Sequence, residues 1–162
     1  MDPFLRLLRR RLPGELIRAY ADDTAAVVRN VREAAPILTH EFRRLAAVAN
    51  LVLNIPKTVC IPLWPTTMEH LRSMLVSVDA TWEQVQAATA GKYLGYYIGP
   101  GKGHQSWLGA GAKMVTRVQQ WPWNRLGLYY ATCAYNLYAS SIPTYIAQLE
   151  LYPEEFLSLI HI

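Results

Sequence analysis

The stretch Arg18-Ala19-Tyr20-Ala21-Asp22-Asp23-Thr24-Ala25-Ala26-Val27-Val28 constrains this chain most. Leu16, Ile17 and Tyr20 on one side, and Val27 and Val28 on the other, are strand formers flanking Ala21-Asp22-Asp23. The pattern predicts an antiparallel hairpin with two carboxylates at its tip. Adjacent aspartates do not suit a core, because burying unpaired carboxylates is costly. Held together at a hairpin end, they project into solvent or onto a divalent cation. Hard oxygen ligands of this kind suit Mg²⁺ or Mn²⁺, which keep several waters and share their remaining positions with substrate phosphates. An Asp-Asp pair is also an ordinary turn sequence. From the dipeptide alone, a plain turn and a metal site both remain open.

The chain has 162 residues, enough to bury a core. Its 52% hydrophobic and 17% charged residues are those of a globular protein and exclude a disordered one. The net charge of +4 permits a nucleic-acid partner, and its distribution is more informative than its size. Lys92, Lys102, Lys113, Arg117 and Arg125 fall in a stretch without a single acidic residue. Beyond Arg125 there is no Lys or Arg, and the tail carries Glu150, Glu154 and Glu155. Cys60 and Cys133 lack metal-ligand spacing, as expected of structural cysteines in a reducing compartment. No signal-peptide pattern is evident, since Arg6, Arg9, Arg10 and Arg11 follow the first apolar residues. An intracellular location, nuclear or cytoplasmic, is therefore expected. Leu126–Leu149 is uncharged and long enough to span a bilayer. Its Asn136, Ser140, Ser141, Pro143, Thr144 and Gln148 leave it only moderately apolar, so no membrane span is expected.

Taken in order, Asp2–Leu12 reads as an amphipathic helix with Phe4, Leu5, Leu8 and Leu12 on one face, stopped by Pro13-Gly14. After the hairpin, Asn30 caps a helix over Val31–Asn50, with Ala34, Ile37, Leu38, Phe42, Leu45 and Val48 as its apolar stripe. Thr66 or Thr67 caps another, running to about Val78 with Met68, Leu71, Met74 and Leu75 inward. Gln84–Ile98 alternates like a hairpin with its turn near Ala90-Gly91. Gly99-Pro100-Gly101-Lys102-Gly103 lacks the ending of a phosphate-binding loop and reads as a linker. From Ser106 to Tyr145 the pattern is helical, with Trp107, Leu108, Met114, Val115, Val118 and Trp121 preceding a break near Pro122. Leu126, Tyr129, Tyr130, Cys133 and Leu137 then form a second apolar face ending near Pro143. His40 and His104 have no paired ligands and are expected to be ordinary surface or satisfied histidines.

Tyr20-Ala21-Asp22-Asp23 between apolar strands resembles the catalytic hairpin of reverse transcriptases, particularly those of non-long-terminal-repeat retrotransposons. The likeness continues in order. Leu53-Asn54-Ile55-Pro56-Lys57-Thr58 is similar to the family's Leu-Asn-x-x-Lys-Thr sequence, and Lys57 matches its lysine. Lys92-Tyr93-Leu94-Gly95-Tyr96-Tyr97 resembles the Tyr-Leu-Gly hairpin that grips the primer end. The helical segment, with its Ser141-Ile142-Pro143 run, resembles the thumb side.

This resemblance implies an α+β fold: a partial polymerase palm over 1–99, with antiparallel hairpins packed on helices, then a helical thumb-like segment over 100–162. It implies an RNA-directed DNA polymerase, a nucleotidyltransferase in which a primer 3′-hydroxyl attacks the α-phosphate of a deoxynucleoside triphosphate. Asp22, Asp23 and Lys57 would be catalytic, with Asp22 and Asp23 on Mg²⁺ (or Mn²⁺) and Lys57 beside the departing pyrophosphate. Tyr20, Tyr93, Leu94, Gly95, Lys102, Lys113 and Arg117 would bind nucleic acid, with Gly95 allowing close approach and Tyr96 or Tyr97 supporting a sugar or base. The implied partners are an RNA template, a DNA primer, a deoxynucleoside triphosphate and the missing N-terminal part of the polymerase. The fingers and the palm strand bearing the other metal-binding aspartate have no counterpart here. This chain alone is therefore expected to be inactive, and Met1 to be an internal methionine of a longer ancestor. A non-catalytic remnant with a nucleic-acid-binding surface is the alternative, and a small membrane protein using Leu126–Leu149 a third.

Overall fold

The computed structural model of the chain describes residues 3–154. Asp2, expected at the start of the first helix, and Glu155 of the acidic tail lie outside the described residues. The class is α+β, in two compact units, Met1–Thr89 and Ala90–Ile162. The division lies at 89/90 instead of the expected 99/100, because the second hairpin packs with the helices that follow it.

In the first unit, α1 (Pro3–Arg11) buries Leu8 and Leu12 and half-buries Phe4 and Leu5, as its spacing predicts. Gly14, at φ 84°, turns the chain into β1 (Leu16–Tyr20), which pairs antiparallel with β2 (Asp23–Val27). Next, α2 (Val31–Ala49) starts at Asn30, whose side chain accepts from the Arg32 N–H, and ends at Asn50, in the left-handed region at φ 54°. Pro36 lies within it near the start.

This helix has two buried sides. Ala34 joins Leu8, Leu12 and Ile17 in one core, with Ile37, Leu38 and Val28 half-buried around them. Ala35 faces a second core of Leu71, Met74, Leu75, Trp82 and Val85. The Trp82 indole N–H donates to Thr39 Oγ1 at 2.8 Å, and that hydroxyl donates to the Ala35 carbonyl. The expected stripe holds as far as Leu45. Val48, expected inside, is 89% exposed.

The second core is completed by α3 (Met68–Val78), capped by Thr67, and by a 3₁₀ turn over Ala80–Gln84, capped by Asp79. Hydrogen bonds from the Thr81 backbone and side chain, helped by Arg43, hold the Asp79 carboxyl below its usual range. Cys60 packs against this core, and burial pushes its thiol up, consistent with a structural cysteine. Strand β3 (Val59–Cys60) pairs parallel with β4 (Gln86–Ala87). The residues after Gln84 were expected to form the first arm of a hairpin turning at Ala90-Gly91. Instead they pair back to Val59–Cys60, and the turn comes later.

In the second unit, β5 (Gly91–Tyr93) and β6 (Tyr96–Ile98) form an antiparallel hairpin around Leu94-Gly95. Both turn residues have positive φ, 49° and 89°, which defines the tight two-residue connection. The hairpin packs on α4 (Gln105–Gln120), with Tyr96, Trp107, Ala110 and Ile146 as the core.

The chain breaks at Pro122 as expected and resumes in α5 (Gly127–Ala134). The expected stop at Pro143 does not occur. A π-helical segment over Tyr135–Ser140 leads into α6 (Ser141–Ala147), which runs through Pro143. Wider i→i+5 bonding absorbs the mismatch created by a proline without an N–H. Ser140, Ser141 and Thr144 each donate a hydroxyl to the carbonyl four residues back.

The expected inward face of this region is reversed. Tyr129, Tyr130 and Leu137 are exposed and so is Cys133, while Ala139, Pro143 and Ile146 are buried. The α6 and π segments pack on α4, where Ala110 is buried against Ile146. Among the described residues, no helix is long and apolar enough to cross a membrane.

Glu41 was not foreseen as a core residue. Its side chain is 1% exposed and bridges Arg11 Nε at 3.4 Å and Arg44 Nη1 at 3.1 Å, tying the end of α1 to α2. A buried charge is most costly when its partners are removed and it stays behind. Arg11→Ala with Arg44→Ala should therefore destabilise the first unit by about 3 kcal/mol, whereas Glu41→Met should stay within about 1 kcal/mol of the parent. Urea unfolding followed by circular dichroism measures both. Equal losses would mean the pair acts through packing alone.

Candidate functional site

Each unit carries its own part of the predicted site. In the first, the register pairs Leu16 with Val27, Ile17 with Ala26, Arg18 with Ala25, Ala19 with Thr24 and Tyr20 with Asp23. Alternation puts Ile17 on the core face, where it is 1% exposed. Tyr20 and Asp23 are directly opposed and therefore stand together on the other face. Tyr20 is 68% exposed there, and Asp22 and Asp23 are also exposed.

The turn itself is Ala21-Asp22. Ala21 has φ 52°, in the left-handed region that alanine rarely adopts. This conformation keeps the loop at two residues and the two aspartates at the very tip. Among the described residues, neither aspartate has an ion pair or a side-chain hydrogen bond to the protein, so their oxygens are open to solvent.

Lys57 lies on a 3₁₀ turn, Ile55–Lys57, and is exposed. Its N–H donates to the Asn54 side chain at 3.2 Å, so Asn54 fixes the turn and leaves the ammonium free to reach outward. The turn rests on Ala80–Gln84, and the Gln86 side chain donates to the Pro56 carbonyl at 2.8 Å. The hairpin rests on α1. Among the described residues no hydrogen bond or ion pair joins Lys57 to Asp22 or Asp23, so the structure does not bring the three together through any direct bond.

Donor chemistry decides how far the pair fits a metal. Two exposed carboxylates suit one hard cation that keeps most of its waters. Among the described residues, no group of three or more His, Cys, Asp or Glu is placed to hold an ion. A two-metal centre, with ions about 4 Å apart, needs bridging carboxylates beyond these two. The described residues therefore fit part of such a centre.

In the second unit, Gly95 and Lys113 come together on one open groove of about 610 Å³, with Lys92, Tyr97, Leu108 and Tyr145. The sequence motifs point to Gly95 and Lys113 but not to Tyr145. The Tyr145 hydroxyl donates to the Leu94 carbonyl at 2.6 Å, and a Cβ on Gly95 would lie 3.0 Å from its ring. Gly95 thus admits Tyr145 of its own chain.

Tyr96 is buried and its hydroxyl donates to the Tyr145 carbonyl at 2.5 Å. Burial, then its position beside Tyr145 and Glu150, pushes its phenol above the usual value. It is a structural donor and cannot support a base as expected. Tyr97, half-buried at the groove, keeps that possibility. Tyr93 is half-buried on β5.

Two of the expected phosphate contacts are engaged elsewhere. Lys102 Nζ pairs with Glu150 Oε1 at 3.1 Å. Arg117 Nη1 donates to the Tyr138 carbonyl at 2.6 Å, tying α4 to the π segment. Lys92 and Lys113 are exposed and, among the described residues, free of ion pairs. The missed residues share one signal: Tyr145 and Glu150 stand at the end of the long uncharged run, where it returns to the hairpin.

Comparison with models of protein families, with curated proteins and with solved structures gives no match.

The two groove glycines make opposite predictions. Gly95 combines positive φ with the Tyr145 ring, so Gly95→Ala should cost about 1–3 kcal/mol. Gly109 lies on α4 with nothing within 4 Å of an added Cβ. Gly109→Ala should stabilise the unit by up to about 1 kcal/mol through helix propensity. Thermal unfolding of both variants checks the pair of signs.

Proposed function

We propose that the chain is the C-terminal palm and the beginning of the thumb of a reverse transcriptase of the non-LTR retrotransposon type. The observation that carries this reading is the placement of Tyr20-Ala21-Asp22-Asp23. Both aspartates sit at the tip of a two-residue hairpin, exposed, with Tyr20 beside Asp23 on the open face. The turn holds both carboxylates outward without a protein partner among the described residues, and the order of the motifs that follow it supports the reading. The reaction is RNA-templated DNA synthesis, with the partial palm over 1–99, including the primer-grip-like hairpin, and the thumb side over 100–162.

In this reading Asp22 and Asp23 hold Mg²⁺ or Mn²⁺. The ions, when bound, stabilise charge on the attacking and leaving oxygens. Asp22 at the turn and Asp23 at the start of β2 position the primer 3′-hydroxyl side of the reaction. Lys57, on its Asn54-fixed turn, donates a proton to or neutralises the departing pyrophosphate. Lys92 and Lys113 take phosphate contacts along the groove, and Tyr97 offers a ring to a sugar or base. A two-metal centre would need a further bridging carboxylate, which the described residues do not place at the hairpin. The chain alone is accordingly inactive in primer extension.

One observation favours a second reading. Asp22 and Asp23 are the only acidic side chains this hairpin offers, which is compatible with a non-catalytic remnant that binds nucleic acid through the second unit. Primer extension separates the two. Joined to a palm segment that restores the further carboxylate, the chain should incorporate deoxynucleotides. Asp22→Ala should then abolish incorporation with the hairpin still folded. Lys57→Ala should slow single-turnover incorporation about 10²–10⁴-fold, the range for general acid catalysis, while primer–template affinity stays nearly intact. Lys57→Arg should restore little of that rate, since arginine does not release its proton. Substantial activity in Asp22→Ala would sink the metal-site reading. Weakened primer–template binding with an unchanged chemical step would make Lys57 a backbone contact.

A further inference from the structure

Among the described residues, the acidic side chain paired with a lysine of the second unit is Glu150. It follows α6 and is the first carboxylate after a long stretch without any. Its Oε1 accepts from Lys102 Nζ at 3.1 Å and from Ser106 Oγ at 3.0 Å. Ser106 Oγ in turn accepts from the Tyr97 N–H at 2.9 Å, and Ser106 lines the groove. The Glu150 side chain is 10% exposed, whereas Lys102 is 43% exposed. One carboxylate oxygen thus receives an ammonium, and a hydroxyl from the groove-lining Ser106, the same pair of donors that a non-bridging phosphate oxygen accepts.

We infer that Glu150 is an internal mimic of a nucleic-acid phosphate, covering Lys102 until a phosphodiester displaces it. The inference rests on the proposed nucleic-acid role of this unit and adds a regulated contact to it. The free chain presents Lys92 and Lys113, and Lys102 joins them only when the segment after α6 lets go. One anion replaces another at the same donors, so the exchange is close to neutral in charge. Its cost is the burial lost by Glu150. Lys102 therefore contributes little to the first encounter and most to the engaged complex.

The test is anisotropy of a labelled RNA–DNA primer–template across a salt series. Glu150→Gln keeps an oxygen for Ser106 but removes the charge that holds Lys102. It should steepen the log K against log salt slope by about 0.9, so that a variant equal to the parent at 1 M salt binds about eightfold more tightly than the parent at 0.1 M. Lys102→Gln alone should change the parent little and should cancel the gain in the Glu150→Gln background. Glu154→Gln removes one charge from the same tail and serves as the control, with no dependence on Lys102. Should Glu150→Gln unfold by circular dichroism, the swapped pair Lys102→Glu with Glu150→Lys restores the contact, and Glu150→Lys alone should then bind more tightly than the swap. If the parent binds and Lys102→Gln alone weakens it as much as Lys113→Gln, Lys102 is already open and the inference is overturned while the nucleic-acid reading stands. If Glu150→Gln and Glu154→Gln act alike, the effect is net charge and the inference is also overturned. If no variant binds, the nucleic-acid reading itself fails, and the masking with it.

Discussion

The first unit depends on one helix having two buried sides. Ala34 and Ala35 are neighbours on α2, about 100° apart around its axis, and each belongs to a different core. Small side chains at both positions let α1 with β1 approach from one direction and α3 from the other. The Thr39–Trp82 hydrogen bond fixes the second contact, and the Glu41 bridge to Arg11 fixes the first. Neither interaction adds much apolar area. Both remove alternatives, because a buried indole N–H or carboxylate without its partner is penalised more than the contact is rewarded.

That helix also decides what the hairpin presents. Ile17 is pulled into the core of α1 and α2, so alternation sends Tyr20 and Asp23 to the opposite face. A one-residue slip would exchange the two faces and bury the aspartate opposite Tyr20. The proposed metal-binding tip is thus specified by the packing of a single isoleucine, together with the left-handed Ala21 that closes the loop. In the second unit the comparable device is Tyr145. Its hydroxyl and its own carbonyl hold Leu94 and Tyr96, and Gly95 gives its ring room.

The parts legible in the sequence were those where one local rule acts alone. Asn30 and Thr67 mark helix starts because a side-chain oxygen satisfies an orphan N–H, and the periodicity of Leu8, Leu12, Leu71 and Leu75 marks their inner faces. The Tyr20–Asp23 hairpin was legible for the same reason. The turn of the second hairpin lies at Leu94-Gly95 and not at Ala90-Gly91, because Gln86–Ala87 pairs with Val59–Cys60 and only Gly91–Tyr93 is left to pair with Tyr96–Ile98. Tyr129, Tyr130 and Leu137 stay exposed because the segments after α5 pack on α4 through Ala139 and Ile146, an arrangement that the apolar spacing alone does not specify. The burial of Glu41 and the pairing of Glu150 were not legible because Arg11 and Lys102, which meet them, lie 30 and 48 residues away along the chain. The polymerase reading stays with the ordered motifs and the hairpin tip that support it.

The central claim, that the Asp22–Asp23 tip is a divalent-cation ligand and more than a polar turn, is tested most directly by Mn²⁺ titration of the ¹⁵N-labelled chain. Paramagnetic broadening falls steeply with distance and needs no intact polymerase. The expected result is selective loss of the amide signals of Tyr20 to Thr24 at substoichiometric Mn²⁺, reversed by excess Mg²⁺ and absent in Asp22→Asn with Asp23→Asn. Broadening centred on Asp79 or Glu150, or none at the hairpin tip, would contradict it.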